Sequence, residues 1–356
     1  MKILVLAENY PSNKCHNRMY IHVRNKYYQK QGIDVTVLSF KAKNNYTFEG
    51  IKVISKNNFK IDNYDLLCAH APNLKHHYLF IKKYKKYFKK IILFFHGQEI
   101  LKWSRDYPKE YIFMKRNIIK VKLRDLYDEY KFKIWNKFIN KNIDNLHLIF
   151  VSNYLYTKFL TNIKINNIDK HISIINNSVG ELFEINNYDN KTNKEYDFIT
   201  IRGESLDQSK YGIDIVTRLA FNNPKYKFLV IGEGNYYKYN DKPDNLIFIN
   251  KILNHKEIID YLNKSKYGLM PTKQDTQGVL TCEFLTFGIP TLTSNLEVCE
   301  EIFKDFKNVK LIDNSINKLN DIIRDIKYTN DKNEKYFSKN TISKEVELFK
   351  ELVWVN

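Results

Sequence analysis

The residues best suited to chemistry lie between Pro271 and Pro290, in the stretch PTKQDTQGVLTCEFLTFGIP. Two carboxylates stand in it, Asp275 and Glu283, with seven residues between them. Val279, Leu280, Phe284 and Leu285 recur at helical spacing, so the pattern predicts a helix that opens at Gly278 and stops at Gly288 and Pro290. The first turn of a helix leaves backbone N–H groups without internal partners, and the helix dipole places its positive end at the same spot. A glycine loop leading into such a turn is an anion site. This segment can therefore hold a phosphate at Gly278. Acidic oxygens stand on either side for hydroxyl groups, Asp275 in the loop and Glu283 on the second helical turn. That is the outline of a site for a nucleotide-linked sugar.

Two cations belong to the same reading. Arg202 ends the apolar run ITIRG, and Lys210 follows just before Gly212 and the next helical pattern. Arginine grips a phosphate with a planar fork, and lysine supplies a point charge. Their plain structural use is as solvated basic residues in a lysine-rich chain. Gly232-Glu-Gly234 also follows a strand pattern, but it lacks the third glycine and the downstream acid of a dinucleotide fingerprint, which argues against a nicotinamide or flavin enzyme. His96-Gly97 follows the strand IILFF; a histidine at that end of a parallel strand faces the ligand crevice or caps the backbone.

The elements that must position these groups alternate. Strands are expected at Lys2–Ala7, Asp34–Phe40, Ile51–Ile54, Leu66–Ala69, Ile91–Phe95, Leu146–Val151 and Ile172–Ile175, with helices at Met19–Gln31, at Leu74–Lys90, within Pro108–Asn140 and after Ser152. After the polar stretch Asn186–Glu195 the pattern restarts. Strands follow at Asp197–Ile201, Lys227–Ile231, Leu246–Ile249, Lys266–Met270 and Val309–Ile312, with helices at Tyr211–Phe221, His255–Asn263, Ile316–Ile326 and Ser343–Val353. Continuous apolar strands alternating with helices indicate α/β architecture: two doubly wound parallel sheets, with ligands beyond the carboxyl ends of the strands.

The 356 residues suffice for two such domains. Cys15, Cys68, Cys282 and Cys299 are scattered and show no zinc or disulfide spacing, which fits a reducing cytoplasm. No apolar run reaches the roughly 18 residues of a membrane span. The net charge is +18, and all of the excess lies early: residues 1–185 carry 33 Lys and Arg against 15 Asp and Glu, and the remainder carries 25 of each. A basic half implies an anionic partner. The Lys- and Tyr-rich stretch Leu74–Lys90, with Tyr78, Ile81, Tyr84 and Phe88 along one stripe, reads as a basic amphipathic helix suited to an anionic lipid surface, or as a sheet-covering helix with solvated lysines. No nucleic-acid module is recognisable, so nucleic acid is not expected as a partner.

In their order these motifs resemble the GT-B-fold retaining glycosyltransferases of family 4, the glycosyl transferases group 1. The matching residues are Arg202, Lys210-x-Gly212, Gly232-Glu-Gly234, the Asp275–Glu283 pair with its internal glycine, and Gly288-Ile-Pro290. Gly32-Ile-Asp34-Val35, His96-Gly97, Val151-Ser152 and Ile175-Asn-Asn177 match more loosely in the first half. The resemblance implies that residues 1–185 bind the acceptor, 186–196 form a linker, 197–335 bind the nucleotide-sugar donor, and a tail helix at 336–356 packs back on the first domain. It implies Arg202 and Lys210 on the donor pyrophosphate, the backbone of Gly278, Val279 and Leu280 on the distal phosphate, and Glu283 on the ribose. Asp275 and His96 fall at the transferred sugar, with no metal and no resident cofactor. The expected activity is hexosyl transfer, UDP-sugars favoured, to a saccharide or lipid-linked saccharide in bacterial capsule or lipopolysaccharide synthesis, at the cytoplasmic face of the membrane. The alternatives are a sugar-nucleotide epimerase of the same fold and a non-catalytic polyanion-binding protein. Two departures stand out: Asp275 is one methylene shorter than the family's usual Glu, and the loop Asn9–Arg18 has no glycine, so that Asn17 or Arg18 becomes the candidate contact there.

Overall fold

The computed structural model describes all residues except Lys14, Cys15, Asn17, Asn167, Glu204, Ser205, Lys327, Asn330, Val355 and Asn356. The expectations placed on Cys15 and Asn17 therefore lie outside the described residues. The chain divides into two compact units. The first comprises Met1–Trp103, Leu123–Ser178 and Phe337–Asn356, and the second Ser104–Lys122 and Val179–Tyr336.

The first unit holds an eight-stranded sheet of β1 (Lys2–Ala7), β2 (Asp34–Ser39), β3 (Tyr46–Phe48), β4 (Ile51–Ser55), β5 (Leu66–His70), β6 (Lys90–Phe95), β7 (Leu146–Phe150) and β8 (Ile172–Ile174), in the order β3-β4-β2-β1-β5-β6-β7-β8. Every pairing is parallel except the β3–β4 hairpin. The central strands are buried along almost their whole length, as helices on both faces require. Its helices are α1 (Met19–Lys30), α2 (Leu79–Tyr84), α4 (Ile118–Asn142, whose first five residues belong to the second unit), α5 (Asn153–Asn162) and the tail helix α13 (Ile342–Trp354), while α3 (Trp103–Asp106) has only Trp103 in the first unit. The tail helix adds Ile342, Val346, Phe349 and Val353 to the core beneath α1. It is also bound there by charge: Arg24 Nε donates to Glu345 Oε1 at 2.9 Å, with both side chains fully buried, and Tyr28 donates to the other carboxylate oxygen.

The expected long helix over Leu74–Lys90 is broken. Leu74–Tyr78 forms a wide π turn, α2 covers one and a half turns, and Lys85–Tyr87 closes it as a 3-10 turn. Phe80, Ile81 and Phe88 are spent on the core and Tyr78 packs against Trp135 and Phe138, so little of the apolar stripe is exposed while Lys82, Lys83, Lys86 and Lys89 stay in solvent. The sheet-covering alternative holds for this segment.

The second unit holds β9 (Tyr196–Ile201), β10 (Phe228–Ile231), β11 (Leu246–Ile249), β12 (Ser265–Met270), β13 (Thr291–Ser294) and β14 (Val309–Ile312) in an all-parallel sheet ordered β11-β10-β9-β12-β13-β14. Its helices are α6 (Glu181–Ile185), α7 (Ile213–Asn222), α8 (Tyr236–Tyr239), α9 (His255–Asn263), α10 (Val279–Phe287), α11 (Glu297–Phe303) and α12 (Asn320–Arg324). The helix expected at Ile316–Ile326 shrinks to the five residues of α12. The chain winds one way from β9 to β11 and the other way from β12 to β14, so the sheet reverses between β9 and β12. Side by side, the carboxyl ends of two strands leave their following loops diverging, and a crevice opens there.

Candidate functional site

Arg202 follows β9, and the loop Pro271–Gly278 follows β12. The sheet reversal thus brings the cation and the glycine loop to one place within the second unit. Arg202 is only 6% exposed; its Nη2 donates to Pro271 O at 2.8 Å, so the guanidinium is tied directly to that loop. Burial works against its charge, and the Asp275 carboxylate favours it. The backbone around Arg202 is tight: a Cβ built on Gly232 would lie 2.1 Å from the Arg202 carbonyl oxygen, which is why the first glycine of Gly232-Glu-Gly234 is required.

Lys210 sits in a 3-10 turn before α7. Its carbonyl accepts from Lys273 N at 2.7 Å and from Thr272 Oγ1 at 2.9 Å, which fixes this turn to the same loop. Its ammonium lies 4.7 Å from the centre of the Tyr211 ring and 5.9 Å from that of Tyr107.

Gly278 adopts a left-handed φ of +69° and opens α10, as its spacing predicts. The expected acid beside it is turned onto the backbone of its own loop. Asp275 Oδ1 accepts from the backbone N–H of Thr276 at 2.7 Å and of Gly278 at 2.9 Å, with Gln277 N more distant at 3.4 Å. The Gly278 N–H is thereby engaged inside the loop. The N–H groups of Val279 and Leu280 lie in the first turn, where the helix itself supplies no acceptor. One turn on, Glu283 is 6% exposed and burial pushes its carboxyl well above the usual carboxylate range. Its Oε1 lies 3.7 Å from His255 Nε2, at the start of α9. The sequence reading places His255 only as the first residue of an expected helix, which an Asn254–Glu257 capping box opens, and gives it no part beside Glu283. Arg202, Lys210, Asp275, Gly278, Val279, Leu280 and Glu283 are all in the second unit.

His96 belongs to the first unit, after β6. Its Nε2 is 3.2 Å from His70 Nδ1, and its ring lies 4.5 Å from that of Tyr20. Burial holds both histidines well below the usual imidazole range, so they are neutral at neutral pH. The Glu99 carboxylate accepts from the N–H groups of His96 and Gly97 at 3.1 and 2.6 Å and sets the turn. Arg18, at the end of the glycine-free loop, takes the left-handed conformation itself, with φ 63°, and donates to Tyr20 Oη at 3.0 Å. His70 and Tyr20 join this cluster through the strand order and through α1, which local sequence does not reveal. Among the described residues no group of three or more His, Cys, Asp or Glu is disposed to hold a metal ion, and no helix is long and apolar enough to cross a membrane.

Residues 192–344 match the family model described as glycosyl transferases group 1. No curated protein matches the sequence. Among solved structures, the chain is similar over its full length, and that of the other protein, to a sucrose-phosphate synthase from Thermosynechococcus elongatus (TM-score 0.71, 9% identity). It is similar over 100% of its length, and 99% of the other chain, to a glycosyltransferase from Rickettsia africae (TM-score 0.65, 13% identity). It is likewise similar to WaaG, a glycosyltransferase involved in lipopolysaccharide biosynthesis, over 91% and 90% of the two chains (TM-score 0.59, 12% identity). At such identities the likeness speaks for the fold alone, and that fold is GT-B.

Proposed function

We propose that this glycosyltransferase, with residues 192–344 matching the glycosyl transferases group 1 model and with the GT-B fold, moves a hexose from a nucleotide-sugar donor, a UDP-sugar by preference, with retention at the anomeric carbon. The observation that carries this reading is the joining of the Arg202 guanidinium and the Lys210 carbonyl to the loop before α10 by hydrogen bonds, with Glu283 buried one turn further on. A departing nucleoside diphosphate gains negative charge as the sugar leaves. Cations and a helix N-terminus that are already fixed stabilise that charge without reorganising. In this scheme Arg202 and Lys210 take the diphosphate and the first turn of α10 takes the distal phosphate. Glu283 takes the ribose hydroxyls, Asp275 meets the sugar, and no metal is needed.

The acceptor in this reading is a saccharide or lipid-linked saccharide of a bacterial surface polysaccharide, met at the cytoplasmic face of the membrane. The likeness to an enzyme of lipopolysaccharide biosynthesis and the basic first half support it. A surface for the bilayer is better offered by α4 than by Leu74–Lys90. Leu123, Leu126 and Tyr130 stand 60, 66 and 58% exposed on one side of α4, while Phe132, Trp135, Phe138 and Ile139 are buried on the other. An exposed apolar stripe on a basic half suits an anionic lipid surface.

The test is nucleotide binding followed by transfer. UDP, GDP and ADP are screened by thermal shift, and UDP is expected to stabilise most. Glu283→Ala is expected to weaken that binding by about 2- to 12-fold, the worth of an ordinary hydrogen bond, and to abolish transfer. A panel without a stabilising member, or wild-type turnover in Glu283→Ala, refutes the assignment.

A further inference from the structure

The second unit contains a piece of chain that its strands do not account for. Ser104–Lys122 lies in sequence between β6 and β7, yet it belongs to the second unit. Tyr111 and Phe113 pack against that unit's core. Tyr111 Oη donates to Asp214 Oδ1 at 2.9 Å, in the first turn of α7, and Asp214 also accepts from Lys273 Nζ at 2.5 Å. The Tyr111 ring meets Tyr236 edge-on at 4.9 Å, and Phe113 stacks on Tyr239 at 4.7 Å with 11° between the planes. The segment is therefore fastened by a half-buried hydrogen bond and an aromatic cluster.

The fastening delivers a third ring. Tyr107, four residues ahead of Tyr111, has its centre 5.9 Å from the Lys210 ammonium, which Tyr211 also meets at 4.7 Å. A lysine on a four-carbon stem has many rotamers, and two aromatic faces restrict where its charge can sit. The same segment touches the phosphate loop through Lys273, whose ammonium pairs with Asp214 and lies 5.7 Å from the Tyr111 ring.

We propose that Ser104–Lys122 is a strap that completes the donor site, in which Tyr107 is a positioning residue that holds the Lys210 ammonium where a diphosphate binds. This rests on the reading of Lys210 as a diphosphate ligand. The strap contributes to phosphate affinity rather than to recognition of the base.

Calorimetric titration of the full chain with UDP and with uridine separates the possibilities, using Lys210→Ala, Tyr107→Phe, Tyr107→Leu and the double variant Tyr107→Leu/Lys210→Ala. Lys210→Ala is expected to weaken UDP by at least tenfold. Tyr107→Leu keeps the bulk and removes the ring, and it is expected to weaken UDP about two- to fivefold, the strength of a partly exposed cation–π pair. Tyr107→Phe keeps the ring and should bind as wild type. Uridine binding should not change, and Tyr107→Leu should have no further effect once Lys210 is gone. If Lys210→Ala leaves UDP binding intact, the diphosphate role of Lys210 fails and the strap proposal with it. If Lys210→Ala weakens binding while Tyr107→Leu does not, or if the Tyr107→Leu loss persists in the double variant, the strap proposal alone is overturned.

Discussion

Asp275 offers the sharpest test of the site, because it occupies a place where two roles compete. Its Oδ1 accepts two short bonds, from Thr276 N at 2.7 Å and Gly278 N at 2.9 Å, ahead of α10. Removing it leaves two loop N–H groups without this acceptor, at a cost of about 1 to 2 kcal/mol. In a unit of this size that corresponds to a fall in Tm of about 2 to 8 °C for Asp275→Ala. Asp275→Asn retains an acceptor oxygen but not the charge. Bonds to an ionised acceptor are roughly twice as strong as neutral ones, so about half of the loss is expected. Diphosphate affinity should move the other way. The carboxylate stands at a helix N-terminus meant for an anion, and neutralising it removes a repulsion on the order of 1 kcal/mol near the protein surface, about a fivefold gain in UDP binding. On the proposed reading transfer should still fall in both variants, since Asp275 is there the sugar's partner. Differential scanning calorimetry, UDP titration and product formation read the three effects separately. An unchanged Tm in Asp275→Ala refutes the loop-closing role. Weaker UDP binding in Asp275→Asn refutes the argument that carboxylate and phosphate compete.

Two further outcomes are expected elsewhere in the molecule. Glu345→Ala leaves Arg24 charged and fully buried without its carboxylate partner, and Tyr28 loses its acceptor; breaking such a pair costs about 3 to 5 kcal/mol, which urea unfolding of the first unit would register as a large drop in midpoint. Replacing Leu123 and Leu126 with Ser removes exposed side chains and should leave Tm unchanged, while sedimentation with phosphatidylglycerol vesicles should fall at least about tenfold for the pair; equal binding by the variant rules out α4 as the membrane face.

Apart from the short antiparallel β3, which the sequence reading lacks, the strands and their parallel character were readable because continuous apolar runs need cover on both faces, and the observed bounds differ by a residue or two from the periodicity. The opening of α10 at Gly278 was equally local: an apolar stripe, a glycine able to take a φ of +69°, and Gly288 to stop it. The break of Leu74–Lys90 was not readable, since its residues have helical spacing and only packing against Trp135 and Phe138 decides which of them turn inward. In the site, the residue types at Arg202, Lys210 and Glu283 could be named from sequence. What Asp275 bonds to could not, because a carboxylate in a loop can face a ligand or its own backbone, and only the folded loop chooses. His255 beside Glu283, His70 beside His96, and Tyr107 beside Lys210 are pairings across 28, 26 and 103 positions of chain. Local spacing determines which elements form and which faces are apolar; the order in which strands pair determines which side chains meet, and that order is settled by long-range burial that no short stretch of sequence contains.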